Sequence, residues 1–174
     1  MSYPEIKKKL NALFEAKVAL RADGVLRSER ITGEIGEWFA EKAYDGNRAQ
    51  ATSNKGWDII QQVTADKKER LQVKAHAKGR DNNARWTEVN PDRFDNFNRL
   101  IIVVMGDDYL IKEWYDIPSK DLKWLSVKSG GARIVNWDDA NEGGFKKNIS
   151  ELPNGKSLSE FIAVDDFSLL GDGD

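Results

Sequence analysis

A carboxylate at Asp58, an amide at Gln72 and an ammonium at Lys74 are the residues of this chain whose types and order could do chemistry. Hydrolysis of a phosphodiester needs a nucleophilic water, neutralised charge on the phosphate and a stabilised leaving oxygen, and divalent ions held by carboxylates supply all three. Magnesium takes hard oxygen ligands and keeps several waters, so one or two carboxylates with a backbone carbonyl are enough. On that chemistry Asp58 is the central ligand. Lys74 orients the attacking water or stabilises charge developing on phosphate, and Glu37 adds a second carboxylate from a helix.

The elements that must position these groups are legible as patterns. Gly56 to Val63 and Glu69 to His76 read as two strands joined by the polar turn Thr64 to Lys68. Alternation along a strand puts Gln72, Lys74 and His76 on one face and Leu71, Val73 and Ala75 on the other, so one face packs and the other is free for chemistry. Upstream, Ile31, Ile35, Trp38, Phe39 and Ala43 recur at helical spacing, which predicts a helix from Ile31-Thr32 to Tyr44, capped by Thr32 and closed by Asp45-Gly46. Gly33, Gly36 and Ala40 form a small-residue side that lets a neighbouring backbone come close. Glu37 borders that side and Glu41 faces outward. Glu34, on the flank of Trp38, is the alternative helix carboxylate, because helix phase is set by sequence only to within a residue or two.

Around this centre the chain predicts an amphipathic helix from Pro4 to about Leu20, with Ser2 as a cap and Ile6, Leu10, Leu13, Phe14 and Val18 as a core-facing stripe. Strands are expected at Arg48 to Thr52, at the continuously apolar Leu100 to Met105 buried on both faces, at Tyr109 to Ile117 and at Ala132 to Trp137. Short helices are expected at Asn90 to Phe97, from Pro118 to Leu122, and weakly at Ser157 to Val164. Trp38, Trp57, Trp114, Trp124 and Trp137 sit in apolar patterns that suggest core. The expected architecture is an α/β (α+β) fold in which a mixed central sheet is flanked by helices. Residues 1–174 read as a single domain, with a core at about 30–117, an N-terminal helix at 4–20 and an irregular C-terminal extension at 123–174.

Composition narrows the class. The 174 residues include 32% charged side chains and no cysteine, which excludes a disulfide framework and a cysteine-ligated zinc site. A metal must therefore sit on oxygen ligands or on the lone His76. No apolar run is long enough to span a bilayer, and Met-Ser-Tyr-Pro followed by charged residues has no signal-peptide core, so a cytoplasmic location is expected with no membrane contact. The net charge of −2 hides an uneven distribution: Lys67, Lys68, Arg70, Lys74, Lys78, Arg80 and Arg85 crowd the middle, while Val164-Asp165-Asp166 through Asp174 is acidic. The basic middle reads equally as a solvated strand edge or as a phosphate-contacting surface.

The helix with Gly33-Glu34-Ile35-Gly36-Glu37, then Asp58, then Gln72-Val73-Lys74, resembles the PD-(D/E)xK, or restriction-endonuclease-like, nuclease superfamily over roughly residues 30 to 117. The pattern is most similar to the Mrr-like branch, with Gln in place of the second acid, and to small prokaryotic proteins with Gly-Glu-x-Gly-Glu, Lys-Gly-aromatic-Asp and Gln-x-Lys. The resemblance implies a restriction-endonuclease-like core and a Mg²⁺-dependent, or Mn²⁺-dependent, endonuclease cleaving DNA, in restriction or defence. It makes Asp58 the metal-binding acid, Gln72 an auxiliary ligand in the second acid position, Lys74 the motif lysine and Glu37 the helix glutamate. Trp57 stands where the motif name has proline, and Gln72 brings an oxygen ligand without charge.

Secondary contacts to nucleic acid fall on His76, Lys78, Arg80, Arg85 and Trp86, the last as a base-stacking platform. The alternative of a different class is a nuclease fold without turnover that binds nucleic acid or a protein partner. RNA is a further candidate substrate, and a homodimer, with the first helix as the element to examine, is the candidate assembly for cutting both strands of a duplex.

Overall fold

The computed structural model describes residues 3–50, 56–78 and 84–163. In chain order the elements are α1 (Tyr3–Ala22), α2 (Ile31–Tyr44), β1 (Asn47–Arg48), β2 (Ile59–Thr64), β3 (Lys67–Lys78) and β4 (Trp86–Val89). A 3-10 turn (Pro91–Asn96) leads into β5 (Arg99–Gly106) and β6 (Ile111–Pro118). A second such turn (Ser119–Asp121) precedes α3 (Leu122–Leu125), β7 (Ser126–Ser129), β8 (Ala132–Asn136) and α4 (Trp137–Glu142), and two more (Ile149–Glu151, Gly155–Phe161) end the described chain.

The described strands form a five-stranded mixed sheet in the order β1-β2-β3-β5-β6 and a three-stranded sheet in the order β4-β8-β7. Among the described strands only β3 and β5 pair in parallel, from Leu71↔Arg99 to Lys78↔Gly106, apart from an isolated parallel bridge between Ile111 and Ile162. A parallel neighbour demands a crossover, and the chain between β3 and β5 makes it through β4 and the Pro91–Asn96 turn. The fold is thus mixed α/β, with a five-stranded mixed sheet flanked by helices, as the sequence pattern implies.

Burial of β5 explains why its apolar run has no alternation. Ile101, Val103 and Met105 join Ile35, Phe39, Ala40, Leu71 and Trp114 in a core under α2, while Leu100, Ile102 and Val104 join Phe94, Phe97, Val135 and Trp137 in a core under the second sheet. One strand buried on both faces therefore organises two cores. α2 lies unusually close to the sheet. A Cβ on Gly36 would collide with the Cβ of Ala75 on β3, so glycine is what allows the helix to sit there. Gly46 does similar work just beyond the helix, where an added Cβ would lie 2.6 Å from Ile59 Cγ2.

Several expectations are corrected. The apolar stripe of α1 does not enter the core: Ile6, Leu10, Leu13, Phe14 and Val18 are all exposed, and only the helix end at Leu20 packs on the interior. Arg30, not Thr32, occupies the cap position of α2, without a side-chain cap hydrogen bond, and Asp45 takes the left-handed conformation that ends it. Trp124 is 61% exposed, because the short α3 turns it away from the second core while Leu122 and Leu125 turn in. The extension after residue 123 is not irregular. It supplies β7, β8 and α4, and β4 joins them from within the β3–β5 crossover, a pairing between distant segments that local pattern does not reveal. The expected strand at Arg48 to Thr52 is present only as Asn47–Arg48, and its last residues, with Ser2, Arg80 and Val164, lie outside the described residues. Among the described residues no helix is long and apolar enough to cross a membrane.

Candidate functional site

β2 pairs with β3 only as far as Ile59↔Leu71, so beyond Leu71 the edge of β3 facing β2 has no strand partner among the described residues. Asp58 is the residue at which the two strands part. Its amide donates to Leu71 O at 2.8 Å, and its carboxylate Oδ2 accepts from Val73 N at 2.7 Å and from Gln72 Nε2 at 2.5 Å. The carboxylate thus takes the place of the next ladder carbonyl and is held at the strand edge. Burial raises the Asp58 carboxyl above the usual aspartate range, with the Val73 amide and the Lys74 charge pulling partly back.

A cleft of about 480 Å³ opens at this edge, lined by Arg30, Gly33, Glu34, Glu37, Asp58 and Gln72 to Ala75, with Arg93 at its far side. It straddles β3. Val73 and Ala75 point toward α2 and its glutamates, whereas Gln72 and Lys74 point to the side of the second core, as strand alternation requires. Gln72, Lys74 and Arg93 also line an adjoining recess of about 70 Å³ with Val89, Phe94, Phe97 and Leu100.

The helix glutamates divide their tasks. Glu34 is 2% exposed and is held by the backbone amide and Nε of Arg27, both at 3.1 Å, with Arg48 at 3.6 Å. Burial pushes its carboxyl up, but hydrogen bonds from Arg27 and Ser28 outweigh this and leave it below the ordinary range, so it is a buried, ionised anchor. Glu37 pairs with Arg27 Nη2 at 2.6 Å yet is pushed up to about 7, first by burial and then by the charges of Asp58 and Glu34. The charges of Arg27 and Arg48 favour the ionised form, and burial, Asp58 and Glu34 oppose it. Burial and two neighbouring carboxylates prevail over two arginines, both shared with Glu34.

Lys74 and Arg93 bring positive charge to the other side of the cleft, and neither side chain makes a hydrogen bond or ion pair with a described residue. Arg93 was not legible as a site residue. It stands in the Asn90-capped turn, far from the Asp58 and Gln72-Val73-Lys74 pattern in sequence. Arg27 was missed too, although the arginines at 27 and 30, just ahead of a helix bearing Glu34 and Glu37, were a readable signal.

The remaining predicted contacts gather elsewhere. His76 meets Thr87 Oγ1 at 2.9 Å and packs edge-on to Trp137 at 5.1 Å, while Lys78 and Arg85 lie 5.3 and 5.5 Å from the same ring. Burial, then the charges of Lys78 and Lys74, depress His76 to about 4, so it is neutral at physiological pH. Arg85 is engaged by Glu113 at 2.7 and 3.1 Å and by Asp138 at 2.9 Å, with its guanidinium pKa raised by the Glu113 hydrogen bond. None of these lines the cleft, nor does Trp86, which is 44% exposed on the second sheet. Arg80 lies outside the described residues.

Among the described residues no three histidine or acidic side chains form a ready-made metal cage. Magnesium does not need one, since it keeps waters and takes one or two carboxylates. The donor chemistry fits a hard cation: Glu37 and Asp58 are half-buried carboxylates, and the charge of Asp58 opposes ionisation of Glu37, a burden that a divalent ion would relieve. Gln72 presents its amide nitrogen to Asp58, leaving its carbonyl oxygen as the remaining ligand atom. No protein-family model and no curated protein sequence matches this chain.

Proposed function

We propose that the cleft hydrolyses phosphodiester bonds of DNA in a reaction dependent on Mg²⁺, with Mn²⁺ as a substitute. The observation that carries this reading is that Asp58, Gln72, Lys74 and Glu37, chosen from separate segments by chemistry and motif resemblance, line one cleft at the open edge of β3. Asp58 and Glu37 would hold the ion, with Gln72 as auxiliary ligand. When bound, such an ion would polarise the phosphate and acidify a water.

The chain's own groups account for the rest. Val73 N and Gln72 Nε2 fix the Asp58 carboxylate, so it needs little reorganisation to act as a ligand. Lys74 stands on the opposite side of β3 from the glutamates, where its ammonium positions the attacking water or offsets charge gathering on the phosphate. Arg93, whose side chain has no hydrogen-bond or ion-pair partner among the described residues, is suited to hold a non-bridging phosphate oxygen and so bring the scissile group toward Lys74. Glu34 acts through Arg27, which it fixes beside Glu37, and is a positioning residue.

The test is cleavage of supercoiled, linear and single-stranded DNA, and of RNA, over a Mg²⁺ titration. Wild type should cut DNA, and Asp58→Ala and Lys74→Ala should each lose about a hundredfold or more of that activity with the fold retained. Equal cleavage by wild type and Asp58→Ala would remove the proposal. A second reading, a binding module without turnover, draws on the same Asp58 hydrogen bonds, which also satisfy a strand edge in a purely structural way. Tight DNA binding with no Mg²⁺- or Mn²⁺-dependent cleavage would decide for it.

A further inference from the structure

The twenty-residue α1 is the longest helix described, and its apolar side faces solvent, with Leu10 60% and Phe14 64% exposed. At 3.6 residues per turn Ile6, Leu10, Leu13, Phe14 and Val18 share one side of it. The charges on the helix are sorted in an unusual way. Lys7, Lys17 and Arg21 fall among the apolar residues on that side, whereas Glu5 and Glu15 fall on the opposite side with Lys8, and Lys9 lies on the flank. The exposed side is therefore both apolar and cationic. It already receives one carboxylate, since Glu29 bonds to Lys17 at 2.7 Å and to Arg21.

A second copy of the helix is a poor occupant. Paired in either direction, its cations would be brought toward cations, with the acids on the outside and unable to offset them. The complementary segment is in this chain. Residues 164–174 interleave Asp165, Asp166, Asp172 and Asp174 with Phe167, Leu169 and Leu170. The chain reaches them from the right place: Ala163 N donates to Ile111 O at 2.8 Å, and Phe161 packs on Trp38 and Phe39 in the same core that receives Leu20 from the end of α1. Extended, residues 164–174 can reach roughly 36 Å, against a length of roughly 30 Å for α1.

We propose that residues 164–174 dock along this apolar, cationic side of α1, burying Phe167, Leu169 and Leu170 against Leu10 and Phe14 with their aspartates on Lys7, Lys17 and Arg21. The proposal does not depend on the reading of the cleft. The absence of cysteine from the chain permits a clean trap in the full-length protein. Leu13→Cys with Ser168→Cys places one thiol on the proposed face without removing a named contact, and Glu15→Cys with Ser168→Cys places it on the back of the same turn; both helix positions are exposed, so the fold is spared. Under dilute, mild oxidation the first pair should close an intramolecular disulfide about tenfold faster than the second, because docking raises its effective concentration. Equal closure rates for the two pairs would overturn the proposal. So would a product consisting mainly of disulfide-linked dimers, which would assign the face to another copy.

Discussion

Replacing Glu37 by glutamine should make the protein more stable at alkaline pH. The folded Glu37 carboxyl titrates at about 7, against the ordinary 4.5, because burial, Asp58 and Glu34 all oppose its ionisation. Between those values the folded chain holds a proton that the unfolded chain has released, so stability falls as pH rises from about 4.5 through 7, and the whole deficit is present above 7. Two and a half pH units correspond to about 3.4 kcal/mol. The side chain is only 16% exposed, so solvent screens little of this. Glutamine keeps the shape of the protonated acid and an oxygen for Arg27, so Glu37→Gln should be about 2–3 kcal/mol more stable than wild type near pH 8.5 and nearly equal to it near pH 5. Urea unfolding at a series of pH values measures both curves. If the two run parallel, or Glu37→Gln is no more stable at pH 8.5, the electrostatic account of the cleft is wrong. Added Mg²⁺ should narrow the gap by stabilising wild type more, since an ion that binds only the folded state adds to its stability.

Three other perturbations probe the same geometry. Gly36→Ala should destabilise by about 1–3 kcal/mol, because its Cβ meets Ala75 Cβ and α2 must move off the sheet; unfolding curves with wild-type midpoints would show that the close approach is not required. Gln72→Glu places a second carboxylate against Asp58, where the amide now sits at 2.5 Å, so the metal-free protein should lose stability and half-maximal cleavage should need less Mg²⁺; an unchanged titration would mean that Gln72 only positions Asp58. Arg93→Ala should weaken DNA binding measured in Ca²⁺ and reduce the salt dependence by about one phosphate contact, without altering the Mg²⁺ requirement; an unchanged salt slope would take Arg93 out of substrate binding.

Local pattern determined a good deal about this protein. The period of apolar residues located α1 and α2, and the unbroken Leu100–Met105 run announced a strand with a core on each face. Strand alternation put Gln72 and Lys74 on the side of β3 opposite Leu71 and Val73, and the order Glu37, Asp58, Gln72, Lys74 selected residues that share a cleft. These are consequences of neighbours a few residues apart, which backbone geometry fixes directly. What tertiary structure alone decided depends on segments far apart in the chain. The second sheet exists because β4 pairs with β8, and that pairing recruits His76, Lys78 and Arg85 around Trp137 instead of the cleft. Arg27 ties Glu34 and Glu37 together, and Arg93 arrives from the turn before β5. The stripe of α1 shows the same limit from the other side: period established that its apolar residues share a face, but burial needs a partner surface, and no described element packs along it.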